Sequence, residues 1–334
     1  MARLRSAPSV RKIAEELRLS GSDPVSAVVG YCRTRVDSWI NSFKGQMTLP
    51  RLHQLIDEHL SLRHVVVRSD DELDVVVREQ LDRREVIFGT LKGEFASGTE
   101  AITIKLRNPG VGMKRNLAVI DGRGERAHRV YFGIRHEESH LLSLSPAQLS
   151  FVFRRTHATR NAAEERLMDR IAGEIAFYPS LFRHELNRLQ RRYGRPCFHL
   201  VDDVRTEVCP NASWTATAVA VVEQNDFPAV FLTARYGSKT SDMDPRSPSW
   251  ALRVSPRGNK AAREAGLTIH WNYRVPKASI IHTVFHAPHR VLDLHADERL
   301  GIWTSSDGSR LRDLPVHVEV RRRRDDVAAI ITLD

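Results

Sequence analysis

The spacing of apolar residues divides the chain into segments of helical period, short β-branched runs and polar connectors. Helical period comes first. Val10, Ile13, Ala14 and Leu17 recur at three- and four-residue intervals. So do Val25, Val28, Val29, Cys32, Val36 and Ile40, and then Leu52, Leu55, Ile56 and Leu60. Ser22-Asp23-Pro24 supplies a cap and a first-turn proline for the second of these helices. From Leu62 the pattern changes to β-branched runs: His64 to Val67, Leu73 to Val77, Val86 to Leu91 and Ala101 to Leu106. These predict a small sheet, with a hairpin around Ala96-Ser97-Gly98-Thr99. Arg107 to Arg126 is rich in Gly and Arg and reads as a loop. Helical spacing returns over Val130 to Leu142, over a run opened by Ser145-Pro146, and over Asn161 to Tyr178, then from Leu181 to Tyr193. Two short helices, His199 to Val208 and Ser213 to Gln224, flank Cys209-Pro210-Asn211 and resemble a helix-turn-helix. The remainder predicts strands at Ala229–Leu232, Trp250–Val254, Leu267–Trp271, Arg290–Leu294, Val316–Val320 and Val327–Leu333. A polar loop covers Gly237 to Ser249, and a helix fits Pro276 to His286. The class is α+β.

One stretch carries chemistry. Arg135 to Leu142 contains His-Glu-x-x-His, as His136-Glu137-Glu138-Ser139-His140. On a helix, residues at i and i+4 are neighbours, so two neutral imidazoles meet on one face and can share a Zn²⁺. Glu137 points roughly 100° round the helix, within reach of a water on the metal, where it would act as general base. Catalytic zinc needs a third protein ligand. The next helical stretch offers Glu165 as ligand. Asp169, one turn on, offers the carboxylate that receives the other ring N–H of a ligating histidine. Glu164 lies about 100° away and is the poorer candidate. Taken alone, that acidic pair is an ordinary solvated helix face. His282, His286, His289 and His295 form a second histidine group, but no acidic or thiol partner has matching spacing.

Composition narrows the class. The 334 residues suffice for two domains. No apolar run approaches the length of a membrane span, and no apolar stretch follows the basic N-terminus as in a secretory signal. Cys32, Cys197 and Cys209 form no close pair, which suits a reducing, cytoplasmic setting. The net charge of +10 permits nucleic-acid contact without requiring it. Arg321 to Arg324, followed at once by Asp325-Asp326, reads as a strand end or turn.

On these residues the chain resembles the ImmA/IrrE family of metallopeptidases. The shared elements are His136 to His140, Glu165 to Asp169, and the small and apolar run Ile171 to Tyr178 closing at Pro179. The order of later segments is similar to the IrrE branch. Arg135 stands where that family often has a small residue, and Ala176-Phe177-Tyr178 is less aliphatic than usual. The resemblance implies a zincin-like metallopeptidase domain over 62–195, preceded by a helical segment over 1–61. It further implies a helix-turn-helix-like segment over 196–226 and a GAF-like, sensory α+β domain over 227–334. It implies a Zn²⁺ endopeptidase, with Mn²⁺ as an alternative metal. Its partner would be a helix-turn-helix repressor, cut to release stress-response or mobile-element genes. The other reading, from the basic charge and the possible helix-turn-helix, is a DNA-associated or sensor protein whose zinc fold is structural or regulatory.

Overall fold

A computed structural model describes residues 2–144, 152–156, 162–238, 250–287, 293–304, 308–323 and 325–334. The expected helix opened by Ser145, most of the loop ending at Ser249, and His289 lie outside the described residues. The fold is α+β, and the chain forms two compact units, Met1–Leu181 and Phe182–Asp334.

The first unit opens with helices α1 (Ala2–Arg5), α2 (Pro8–Glu16), α3 (Pro24–Ser42) and α4 (Leu49–His59). Asp23 caps α3 as its sequence indicates: the carboxylate accepts from the Val25 and Ser26 N–H groups at 3.2 and 3.3 Å, and Pro24 opens the first turn. Then come strand β1 (Leu62–Val67), helix α5 (Asp70–Asp82), a short 3₁₀ turn over Val86–Thr90, and α6 (Leu91–Ala96). Leu73 to Val77 and Val86 to Leu91 are therefore helical, not strands. The cap explains the first. Ser69 Oγ accepts from Glu72 N–H, and the Glu72 carboxylate accepts from Arg68 N–H. Three acidic residues in the first turn face the positive end of the helix dipole. Leu73, Val76 and Gln80 are then buried at helical spacing, which outweighs the strand propensity of three consecutive valines. Nor is there a hairpin at Ala96 to Thr99. Gly98 ends α6 in the left-handed region (φ 101°) and feeds strand β2 (Thr99–Lys105).

The expected loop at 107–126 holds a central strand, β3 (Asn116–Asp121). Its run Leu117-Ala118-Val119-Ile120 is buried on both faces, and such continuous apolar strands give no alternation to read. β3 lies parallel to β1 and antiparallel to β2. With β4 (Val152–Thr156) the sheet order is β1-β3-β2-β4. Ile102, Ile104, Leu117 and Val119 pack on one face with Leu73, Phe88, Leu91 and Phe95. On the other lies α7 (Val130–Leu142), where the small Ala118 and Gly133 permit close approach. A Cβ on Gly133 would sit 3.6 Å from Ile120. Helix α8 (Ala163–Ala176) packs along α7. Its last carbonyls are satisfied from two elements: His53 Nε2–H donates to Ile175 O at 3.1 Å, and Tyr131 Oη–H to Ala176 O at 2.7 Å. Arg35 from α3 donates to Leu142 O at the end of α7.

The second unit begins within α9 (Pro179–Gln190), followed by α10 (Phe198–Glu207) and α11 (Trp214–Glu223). Strands β5 (Ala229–Gly237) and β6 (Ala251–Gly258) come next. After helices α12 (Lys260–Glu264) and α13 (Ile280–His286) come β7 (Asp293–Arg299), β8 (Pro315–Arg322) and β9 (Val327–Leu333). The sheet is antiparallel throughout, in the order β6-β5-β9-β8-β7. Leu267 to Trp271 is not a strand, because the chain turns there to lay Asn272 and Val275 against β6. The arginine run ends β8, and Arg323 N–H closes a turn onto Asp326 O.

Phe88, fully enclosed by the first sheet and its helices, sets the scale of that core. Phe88→Ala is expected to cost about 3–5 kcal/mol in urea unfolding, whereas Ser69→Ala, which removes only a cap, costs about 1 kcal/mol.

Candidate metal centre

Helix α7 is buried along its whole second half: every side chain from Arg135 to Leu142 is enclosed. Leu141 and Leu142 belong to that interior, while Val130 and Ile134 are half-buried. The His-Glu-x-x-His segment therefore runs through the interior of the first unit. His136 and His140 project to the same side, with ring centroids 5.0 Å apart. Glu165, in the first turn of α8, meets both: its Oε2 lies 3.0 Å from His136 Nε2 and its Oε1 3.6 Å from His140 Nε2. The donor atoms of His136, His140 and Glu165 all fall within 4.8 Å of one another. One imidazole pair and a carboxylate at that separation fit a tetrahedral Zn²⁺ with one position left for water. Glu164 is half-buried and outside this cluster; burial, with Glu165 beside it, raises its carboxyl above the usual range.

The surroundings shift the two imidazoles in opposite directions. His140 is enclosed, and burial holds its ring well below the ordinary pKa, helped by the charges on His136 and Arg155. A ring held neutral in this way can serve as a ligand. His136 Nδ1 lies 2.9 Å from Asp169 Oδ1. Burial opposes charge on this ring too, but the hydrogen bonds to Asp169 and Glu165 outweigh it and raise its pKa. With Asp169 receiving the Nδ1 proton, Nε2 is left to face the cluster. Glu137 is fully buried beside it, and burial raises its carboxyl above the usual value. Such a group accepts a proton more readily than an exposed carboxylate.

Three neighbours were missed in the sequence. Thr103 of β2 donates its hydroxyl to Glu137 Oε2 at 2.5 Å, which fixes that carboxylate, while Oε1 has no hydrogen-bond partner among the described residues. A signal existed: strand alternation puts Thr103 on the inward face with Ala101, and a buried hydroxyl needs a partner. From β4, Phe153 stacks on His140 at 4.4 Å and Arg155 reaches Asp169. Nothing in the spacing of 152–156 marked it as a strand beside the site.

A second polar cluster occupies another side of α7. Asp57 of α4, His64 of β1 and Glu138 bring three metal-capable side chains together. His64 Nε2 lies 2.7 Å from Asp57 Oδ1 and 3.5 Å from Glu138 Oε1, and Arg135 Nη1 lies 2.7 Å from the same Glu138 oxygen. Two carboxylates facing one guanidinium are balanced by a proton on His64. Burial opposes that proton, but hydrogen bonds and charge from Asp57 and Glu138 push the pKa of His64 up to about 9. In unit two, the His282 and His286 rings lie 4.3 Å apart, tilted by 43°, but no third metal-capable side chain joins them among the described residues.

Comparisons with known proteins add little. No protein-family model matches the chain, and no curated protein matches it. Among solved structures, a chain described as a "Mycobacterium tuberculosis transcriptional regulator" aligns over 98% of this chain and 93% of its own, with 10% identity and a TM-score of 0.42. A likeness that distant carries no argument about function. No described helix is long and apolar enough to cross a membrane.

The buried quartet predicts a pH slope. A histidine whose folded pKa lies above its unfolded value stabilises fully below the ordinary value of 6.5 and loses that contribution as pH rises through about 9. Burial holds His53 instead at about 3, so its contribution runs the other way: stability falls as pH drops below 6.5. His64→Gln should flatten the alkaline limb of a stability–pH curve and leave the acid limb in place. An unchanged alkaline limb would show that His64 carries no proton.

Proposed function

We propose that the chain is a zinc-dependent endopeptidase of the ImmA/IrrE type. The observation that carries this reading is the donor cluster of His136, His140 and Glu165 with the buried, hydroxyl-anchored Glu137 beside it. Zn²⁺ held there would activate a water and polarise the scissile carbonyl. Glu137 takes a proton from the attacking water and passes it to the leaving amine, and burial of its carboxyl suits that exchange. Thr103 keeps Glu137 aimed. Asp169 fixes the tautomer of His136. Phe153 limits the rotation of His140.

The substrate class, a helix-turn-helix repressor, rests on the family resemblance, as do a zincin-like first unit and a GAF-like sensory part in the second. An antiparallel sheet with flanking helices is compatible with the latter. The DNA-associated alternative draws no support from the α10–α11 pair. α11, the second helix of that pair, has the sequence WTATAVAVVE, without a single Lys or Arg. Five of its side chains are buried, and it packs against β5 and β6. A helix that reads base edges presents polar and basic side chains to the groove.

The test starts with metal content. Purified protein is expected to hold about one zinc per chain, lost in His140→Ala and in Glu165→Ala. Glu137→Gln should keep the metal and lower cleavage by about 10²–10⁴-fold. Sequencing new protein N-termini in cells that express wild type or Glu137→Gln then identifies the substrate: a cut within a helix-turn-helix protein, present only with wild type. Zinc in wild type with identical N-termini in both strains would remove the peptidase reading and leave a structural metal.

A further inference from the structure

The chain between the two metal helices contributes strand β4, at the edge of the first sheet. Two of its side chains, Phe153 and Arg155, stand two residues apart and so share one face of the strand. Phe153 stacks on His140, with rings 16° from parallel. Arg155 Nη2 lies 3.3 Å from Asp169 Oδ1, the same oxygen that faces His136 Nδ1 at 2.9 Å. One strand face therefore touches one candidate ligand directly and the other through a carboxylate.

We propose that Arg155 is a positioning residue for the metal centre, holding Asp169 in the orientation that turns His136 Nε2 toward the metal. The inference rests on the zinc reading above and extends it to a residue outside the His-Glu-x-x-His and Glu-x-x-x-Asp segments.

Arg155 is well built for the task. Its side chain is only 8% exposed, whereas that of Asp169 is 32% exposed and has solvent to turn toward. Glu100 on β2 faces Arg155 Nε at 3.4 Å and also pairs with Arg129 at 3.0 Å, so the guanidinium is held from behind. The Phe132 ring lies 5.9 Å from the guanidinium carbon. Charge gives a second reason. Glu137, Glu165 and Asp169 bring three carboxylates close together, and Arg155 sets a fixed positive charge beside Asp169 at the edge of that group. Arginine suits the position because its planar, always-charged fork can engage Glu100 and Asp169 at once.

The experiment measures zinc affinity of the full chain by competition with a chromophoric chelator, in wild type, Arg155→Ala, Arg155→Lys and Asp169→Asn. Arg155→Ala is expected to weaken zinc about 10–100-fold, the range found when a partner behind a ligand is lost. Arg155→Lys, which keeps the charge, should recover most of that loss. The d–d absorption of the cobalt-loaded protein should change in Arg155→Ala and return toward wild type in Arg155→Lys. If Arg155 acts through Asp169, adding either Arg155 substitution to Asp169→Asn should weaken zinc no further. Arg155→Gln, which removes the charge but keeps most of the side chain, takes its place in this cycle where Arg155→Ala does not fold. Additive losses, or an Arg155→Ala protein that is destabilised yet binds zinc like wild type, would overturn the proposal. A wild-type chain that binds no zinc would instead remove the metal reading itself, and this proposal with it.

Discussion

Everything near the site follows from one desolvation constraint. The second half of α7 is enclosed on all sides, yet it carries Arg135, His136, Glu137, Glu138 and His140. An unpaired charge in such surroundings costs several kcal/mol, so each of these groups must find a counter-charge, a hydrogen bond or a neutral state. His140 is neutral. His136 meets Asp169 and Glu165. Glu137 is met by Thr103, and Glu138 by Arg135 and His64.

The helix thus has two polar sides with different chemistry. One brings together two imidazoles and a carboxylate whose donor atoms converge, an arrangement that can hold a metal. The other closes on itself, because its two carboxylates are matched by a guanidinium and an imidazolium. Similar residue types, an acid and a histidine within reach of one another, give a candidate reactive centre in one case and a structural lock in the other. The difference is Arg135. It pairs directly with Glu138, whereas on the other side Arg155 pairs with Asp169, which faces His136.

The donor residues were legible because helical spacing is enough to place His136 beside His140 and Glu165 beside Asp169. Which helix face is buried was less so: Val130 and Ile134 are only half-covered, while Glu137 and Glu138 are fully covered. In the fold, caps and turns competed with side-chain propensity. Val75-Val76-Val77 reads as a strand until Ser69 and Glu72 are weighed as a cap. Leu117 to Ile120 reads as part of a glycine-rich loop because a doubly buried strand shows no alternation. Thr103 and Arg155 were invisible for a different reason. Their roles depend on strand pairing, Thr103 opposite Ala118 and Arg155 opposite Ala101, and register is a property of two segments at once.

The counter-charges of α7 have a consequence for how the chain reaches this state. Asp57 and His64 arrive from far upstream, and Arg155 and Asp169 from downstream. Until both sides are in place, α7 faces the interior with uncompensated charge. The contacts with Asp57 and His64 also close long loops, whose entropy opposes early formation. The helix that carries the candidate ligands thus has no favourable buried state of its own: its burial depends on the sheet in front of it and the helices around it.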